Sequence, residues 1–167
     1  MTKENLSKKY QLRLIQKSDN AAVAQLIRTV MTEFGTVGEG YSIMDKEVDE
    51  MWENYQNEQS YFLVLTDGEQ ILGCGGIGPL KGGEATTCEL KKMYFYPEAR
   101  GQGWGKELVL RCLSKAKEIG YRTCYLETVA RMQTANKLYE KLGFQLLSQP
   151  MGCTGHAACD RQFAKEI

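Results

Sequence analysis

The chain lacks an excess of either charge: Lys plus Arg is 21 and Asp plus Glu is 21. Phosphate binding shows as basic excess, so no nucleic acid is expected as a partner. It also lacks any run of about 18 apolar residues, which a membrane span needs. Its first ten residues have no apolar core of a signal peptide, so a cytoplasmic location is expected. Six cysteines are present, yet none forms a Cys-x-x-Cys pair. Cys74, Cys88, Cys112 and Cys124 fall in apolar or helical patterns, where a thiol acts as a small hydrophobe. That usage fits a reducing compartment and excludes a disulfide framework. Repeats, low-complexity tracts and linkers are missing too. A chain of 167 residues without them reads as one domain, 1–167, with a single sizeable core.

Residues 10–16 alternate Leu12 and Leu14 with polar neighbours and predict a first strand. Ser18 is the expected N-cap of a helix whose stripe is Val23, Leu26, Ile27, Val30 and Met31. Gly35, Gly38 and Gly40 predict a loop. A second helix is expected over 45–57, with Val48, Met51, Trp52 and Tyr55 on one face. Strands follow at 61–65 and 71–77 around an Asp67-Gly68 turn, then at 86–96, ending at Pro97. The remaining pattern is helix 105–119 with Gly120 at its end, strand 123–127, helix 132–142, and strands 144–147 and 162–166. This order is a mixed α/β sheet covered by helices.

The informative stretch is Met93-Tyr94-Phe95-Tyr96-Pro97-Glu98-Ala99-Arg100-Gly101-Gln102-Gly103-Trp104-Gly105-Lys106. A strand ends at proline, a glycine-rich turn follows, and a helix begins. Glycine lets a ligand approach the backbone, and a helix N-terminus presents free N–H groups and partial positive charge. Together they form a cradle for a diphosphate, with Arg100 and Lys106 adding charge at its two ends. A bare strand-to-helix turn would use similar glycines. A P-loop fits poorly, because the closing residues are Gly-Lys-Glu. A dinucleotide fold fits poorly, because the glycines alternate and follow the fourth strand.

Arg100-x-x-Gly103-x-Gly105 resembles the Arg/Gln-x-x-Gly-x-Gly/Ala signature of the GNAT acetyltransferase superfamily. The likeness extends over the strand 89–95, over Leu126-Glu127-Thr128, and over the helix from Ala135 to Phe144. Separate motifs agreeing in order and spacing strengthen it. The resemblance implies an acyl-CoA N-acyltransferase fold: a central, mostly antiparallel sheet flanked by helices. It implies acetyl-CoA as co-substrate, an amine acceptor, no metal, and room for a homodimer. The backbone of Met93, Tyr94 and Phe95 would pair with the pantetheine arm. Gly101, Gln102, Gly103, Trp104, Gly105 and Lys106 would hold the diphosphate through N–H groups. Many relatives carry an Asn in a Val-x-x-x-Asn arrangement; Val129-Ala130-Arg131-Met132 departs from it, and Asn136, a turn later, would take that contact.

Acetyl transfer needs a neutral amine, a polarised thioester carbonyl and a proton for the departing thiolate. A backbone N–H near Phe95 would serve the second need. Tyr139 stands at the family's position for the third, and also on an apolar stripe with Ala135, Leu138 and Leu142. Glu89 and Glu127 stand on the two strands that flank the acetyl site in similar proteins. A carboxylate in a partly apolar cleft can be raised into a useful range. Glu89 is favoured as the base and Glu127 as structural or water-ordering, against the plain reading of strand-edge charges. Alternation sets Glu89, Lys91 and Met93 on one face.

Cys153-x-x-His156-x-x-Cys159 carries zinc-ligand chemistry but not the paired knuckles of a structural site. A loop lining the acceptor pocket, with His156 ordering the substrate, reads better. The acidic stretch 45–58 suits either a roof that attracts a cationic amine or a solvated face. The expected activity is N-acetyl transfer to a primary amine of a small molecule or peptide, the small molecule favoured. The rivals are a non-catalytic acyl-CoA sensor and a zinc or redox module at Cys153, His156 and Cys159.

Overall fold

A computed structural model describes residues 9–167. Its elements run β1 (Gln11–Leu14), α1 (Asn20–Glu33), α2 (Met51–Asn54), β2 (Tyr61–Thr66), β3 (Ile71–Pro79) and β4 (Thr87–Phe95). They continue α3 (Trp104–Ile119), β5 (Thr123–Thr128), α4 (Gln133–Lys141), β6 (Gln145–Leu146) and β7 (Arg161–Glu166). The strands form one seven-stranded sheet in the order β1-β2-β3-β4-β5-β7-β6. β4 and β5 run parallel, and the other neighbours are antiparallel. The expected α/β sheet, mostly antiparallel and flanked by helices, is what forms.

Both faces of the sheet are covered because both carry apolar residues. The α1 stripe Val23, Leu26, Ile27, Val30 and Met31 packs on one face with Phe62, Val64 and Cys74. On the other face, Leu108, Val109, Cys112 and Ala116 of α3 pack with Leu63, Leu65, Ile77 and Leu90. Tyr139 of α4 joins this second cluster. Each buried aliphatic side chain contributes about 1.5–3 kcal/mol, so both helices are held to the sheet by their stripes rather than by propensity.

Three local expectations change. The 45–57 helix breaks into a 3₁₀ turn, Lys46–Asp49, and the single turn of α2, parted at Glu50 by φ −131° and ψ 41°. Its carboxylates are drawn to separate partners: Asp45 to Lys92, Asp49 to Arg28, and Glu53 to Asn20. Ser18 is not the cap of α1, because a 3₁₀ turn at Lys17–Asp19 intervenes. There Gln16 N–H donates to Asp19 at 2.7 Å, and Arg13 pairs with the same carboxylate at 2.7 Å. Finally, the β3–β4 register shifts between Cys74 and Gly76, opposite a bulge at Lys92, whose φ is 56°. The extra residue reverses the alternation. Met93 and Phe95 therefore pack on the α3 side, not with Glu89 and Lys91.

Candidate active site

β4 and β5 pair through three steps only, Thr87↔Thr123, Cys88↔Cys124 and Glu89↔Tyr125. Beyond them the strands share no further pairs, although β4 runs on to Phe95 and β5 to Thr128. A cleft opens between them. It is lined by Glu89, Met93 and Tyr94 of β4, Glu127 of β5, Tyr139 of α4 and His156 of the β6–β7 loop. The C-terminal ends of parallel neighbours are where α/β sheets collect ligands.

On the α3 side, residues 96–103 carry the chain from β4 into the helix. Gly101 has φ 71° and Gly103 φ 88°, a region that L side chains rarely adopt. A Cβ at either would meet nothing within 4 Å, so conformation rather than crowding demands glycine, and the space over both is open. Gly105 differs: its Cβ would make ordinary contact with Leu138 at 3.4 Å and Met93 at 3.6 Å. Trp104 opens the helix and meets Tyr10 edge-on, with ring centroids 6.3 Å apart. Gln102 donates to Glu98 O at 2.8 Å.

Arg100 is placed unlike the expectation of a charge on the cradle. Its guanidinium grips Glu33 with bonds of 2.8 and 2.7 Å, and its Nε donates to Phe95 O at 2.9 Å. It clips the end of α1 to the end of β4. The loop's positive character therefore falls to the N–H groups of α3 and to Lys106. Asn136 donates to Val129 O at 2.9 Å and Met132 O at 2.8 Å, while its buried Oδ1 has no partner. An orphaned buried acceptor beside the cleft fits an N–H group of a ligand. The open glycine turn, the unpaired strand edge and this acceptor together fit an extended diphosphate ligand such as acetyl-CoA.

On the α1 side, the bound charges gather. Ligand atoms of Glu89, Glu127 and His156 lie within 4.8 Å of one another. Burial pushes the Glu89 carboxyl up; Lys91 pulls it down, the Glu127 charge raises it, and it reaches about 7. Burial depresses His156, but the hydrogen bond to Asp45 and the contact with Glu127 outweigh it and lift the imidazole to about 9. Glu127 has its side chain only 5% exposed and leaves Oε1 without a hydrogen bond, 3.7 Å from His156 Nδ1. From the α3 side of the sheet Tyr139 reaches the same cleft; it packs at 5.9 Å from Phe144 and 6.1 Å from Phe163, ring to ring, and burial raises its hydroxyl pKa. Tyr94 sends its hydroxyl to Ser42 at 3.3 Å.

Sequence and structure thus agree in bringing Glu89, Glu127, His156 and Tyr139 to one cleft. Cys153 stays apart from them: it is exposed and hydrogen-bonds Lys81 O through its backbone N–H. Cys159 lines the cleft, and burial drives its thiol up to about 12, far from a thiolate at neutral pH. Asp45 and Lys92 were not legible as site residues. Asp45 reads as one charge among many in an acidic stretch, and a lysine inside a strand reads as solvent-facing until the bulge is known.

The acetyltransferase (GNAT) family model matches residues 23–144. The chain is 42% identical to YjgM of Escherichia coli K12, an uncharacterized N-acetyltransferase, over 93% of this chain and 94% of that one. Its fold matches a GNAT-family acetyltransferase of Staphylococcus aureus Mu50 with TM-score 0.80 at 18% identity, covering 94% of this chain and 98% of that one. It likewise matches YncA of Salmonella typhimurium, solved with its cofactor acetyl-CoA, with TM-score 0.74 at 17% identity over 95% and 93% of the two chains. The chain therefore belongs to the GNAT family of acetyltransferases.

Proposed function

We propose that this protein transfers an acetyl group from acetyl-CoA directly to a primary amine, with a small-molecule amine favoured over a peptide. The observation that carries the reading is Glu89, a buried carboxyl raised to about 7, beside Glu127 where β4 and β5 part. A base poised near operating pH can take a proton from an ammonium and still release it.

Acetyl-CoA, when bound, supplies a thioester carbonyl as the acetyl donor. Glu89 takes one proton from the incoming ammonium and leaves a neutral nitrogen. The C–N bond then forms and the C–S bond breaks. The Tyr139 hydroxyl gives its proton to the leaving thiolate and regains one from the nitrogen, so the net release is the single proton held by Glu89. The Glu127 carboxylate offers an unbonded oxygen to the ammonium before transfer. The backbone around Gly101 and Gly103 holds the diphosphate. Met31, Thr36 and Tyr41 also line the cleft, on the side where the acceptor would enter.

Calorimetric titration with acetyl-CoA, followed by an amine screen that detects released thiol, tests the reading. Saturable binding at one site per chain and turnover of at least one primary amine are expected. Folded protein that binds no acetyl-CoA at millimolar concentration would remove it.

A further inference from the structure

A chain of charged contacts borders the acceptor side, and of its members the transfer step uses only Glu127. Lys92 stands at the β4 bulge with φ 56° and a fully buried side chain. Lysine rarely adopts that backbone, so surrounding contacts must fix it there. Its ammonium meets Asp45 Oδ2 at 2.5 Å and Glu47 Oε1 at 3.2 Å. Asp45 in turn holds His156 Nε2 at 2.9 and 3.0 Å from its two oxygens. An ionised carboxylate only accepts, so Nε2 carries a proton. Across the ring, Nδ1 faces Glu127 Oε1 at 3.7 Å. The His156 side chain is 9% exposed and the Asp45 side chain 27%, so water screens these contacts only in part. The loop before α2, the bulge of β4, the end of β5 and the β6–β7 loop all meet at one imidazole. The groups that face it are Asp45 from the loop, Lys92 and Glu89 from β4, Glu127 from β5, and Cys159 from its own loop.

We propose that Asp45 and Lys92 are positioning residues: they fix the His156 ring, doubly protonated, against the Glu127 carboxylate beside Glu89, and so fasten the β6–β7 loop over the acceptor side. Their effect on acetyl transfer rests on the reading above; the charge state of the ring does not. A fixed imidazolium also bears on Glu89, because its charge holds that carboxyl lower than burial alone would. Without it, Glu89 ionises later. Neutral Asp45, as in Asp45→Asn, accepts from Nε2–H but no longer stabilises the ring's charge.

His156 is the only histidine, so ring-nitrogen NMR reports it without ambiguity. In the wild type, both ring nitrogens should be protonated at neutral pH, with a midpoint at about 9. In Asp45→Asn the midpoint should fall toward the ordinary value of about 6.5. The rising limb of kcat/KM against pH should move upward in the same variant, with the acetyl-CoA Kd unchanged. A merely structural Asp45 would leave that limb where it was. A wild-type midpoint near the ordinary value overturns the proposal, as does an unmoved midpoint or limb in Asp45→Asn. The wild-type titration needs neither a folded variant nor turnover. It decides the matter even where Asp45→Asn fails to fold, and an amine screen without a product leaves it intact.

Discussion

Glu89 is costly to ionise because burial strips its carboxylate of water and the neighbouring Glu127 repels it. Its folded pKa of about 7 lies above the unfolded value, so its contribution to stability is fully present below about pH 4.5 and is lost as pH rises through 7. Above that range the wild type carries a penalty of about 3 kcal/mol, which a glutamine would not. Thermal unfolding at pH 5 and pH 8 should show Glu89→Gln gaining on the wild type at the higher pH, with acetyl transfer lost at both. Tyr139→Phe keeps the ring contacts with Phe144 and Phe163, so its melting temperature should stay close to that of the wild type. Its kcat should fall by about 10²-fold with acetyl-CoA binding kept, as measured by steady-state kinetics beside calorimetry. A sensor would have no rate to lose. That Glu89, Glu127 and Tyr139 would line one cleft was implied by the family resemblance, which the glycine-rich turn and the motifs around it carry. Asp45 and Lys92 were not readable from sequence, since their roles depend on contacts 47 residues apart.

At the scale of elements, the turn into α3 separates two kinds of glycine. Gly103 needs its left-handed backbone, and Gly105 does not. Gly103→Ala should cost about 1 kcal/mol or more in chemical denaturation and weaken acetyl-CoA binding. Gly105→Ala sits in a helix with room for its methyl, so stability should hold or rise slightly. The long helices were legible because their period-3.6 stripes survive folding intact, and the strands because their apolar runs do, although the bulge in β4 reverses its period-2 alternation. The stretch 45–57 misled because its apolar spacing is helical while its carboxylates answer to Arg28, Asn20 and Lys92 on other elements. Side-chain partners distant in sequence outweighed the local period. Arg100 shows the same limit within a motif: its position was readable, but its partner Glu33 was not.

Across the whole molecule, two raised groups act in the same direction. His156, lifted to about 9, contributes stability fully below about pH 6.5 and loses it as pH rises through 9. Glu89 loses its share earlier, up to 7. Asp45 and Asp19 oppose them at the acid end: burial raises both, but hydrogen bonds from His156 and Arg13 outweigh it and hold both low. Their support is present above the ordinary carboxylate range and fails in strong acid. The melting temperature should therefore peak on the mildly acidic side and decline from pH 6 to pH 9. Replacing His156 by glutamine should flatten the upper part of that decline in a pH series of thermal scans.

The bulge at Lys92 makes β4 a strand in which parity matters. Between Glu89 and Phe95 the chain holds one residue more than its partner needs, and that odd count sends Tyr94 toward Ser42 and Met93 toward Gly105. Deleting Lys92 would restore one-to-one pairing with β3 and leave Met93 and Tyr94 on their present faces. It would also remove the buried ammonium that meets Asp45 and Glu47. The surplus residue therefore gives the strand a place for a charge in its interior, and its loss would be felt in the loop before α2 rather than in the sheet.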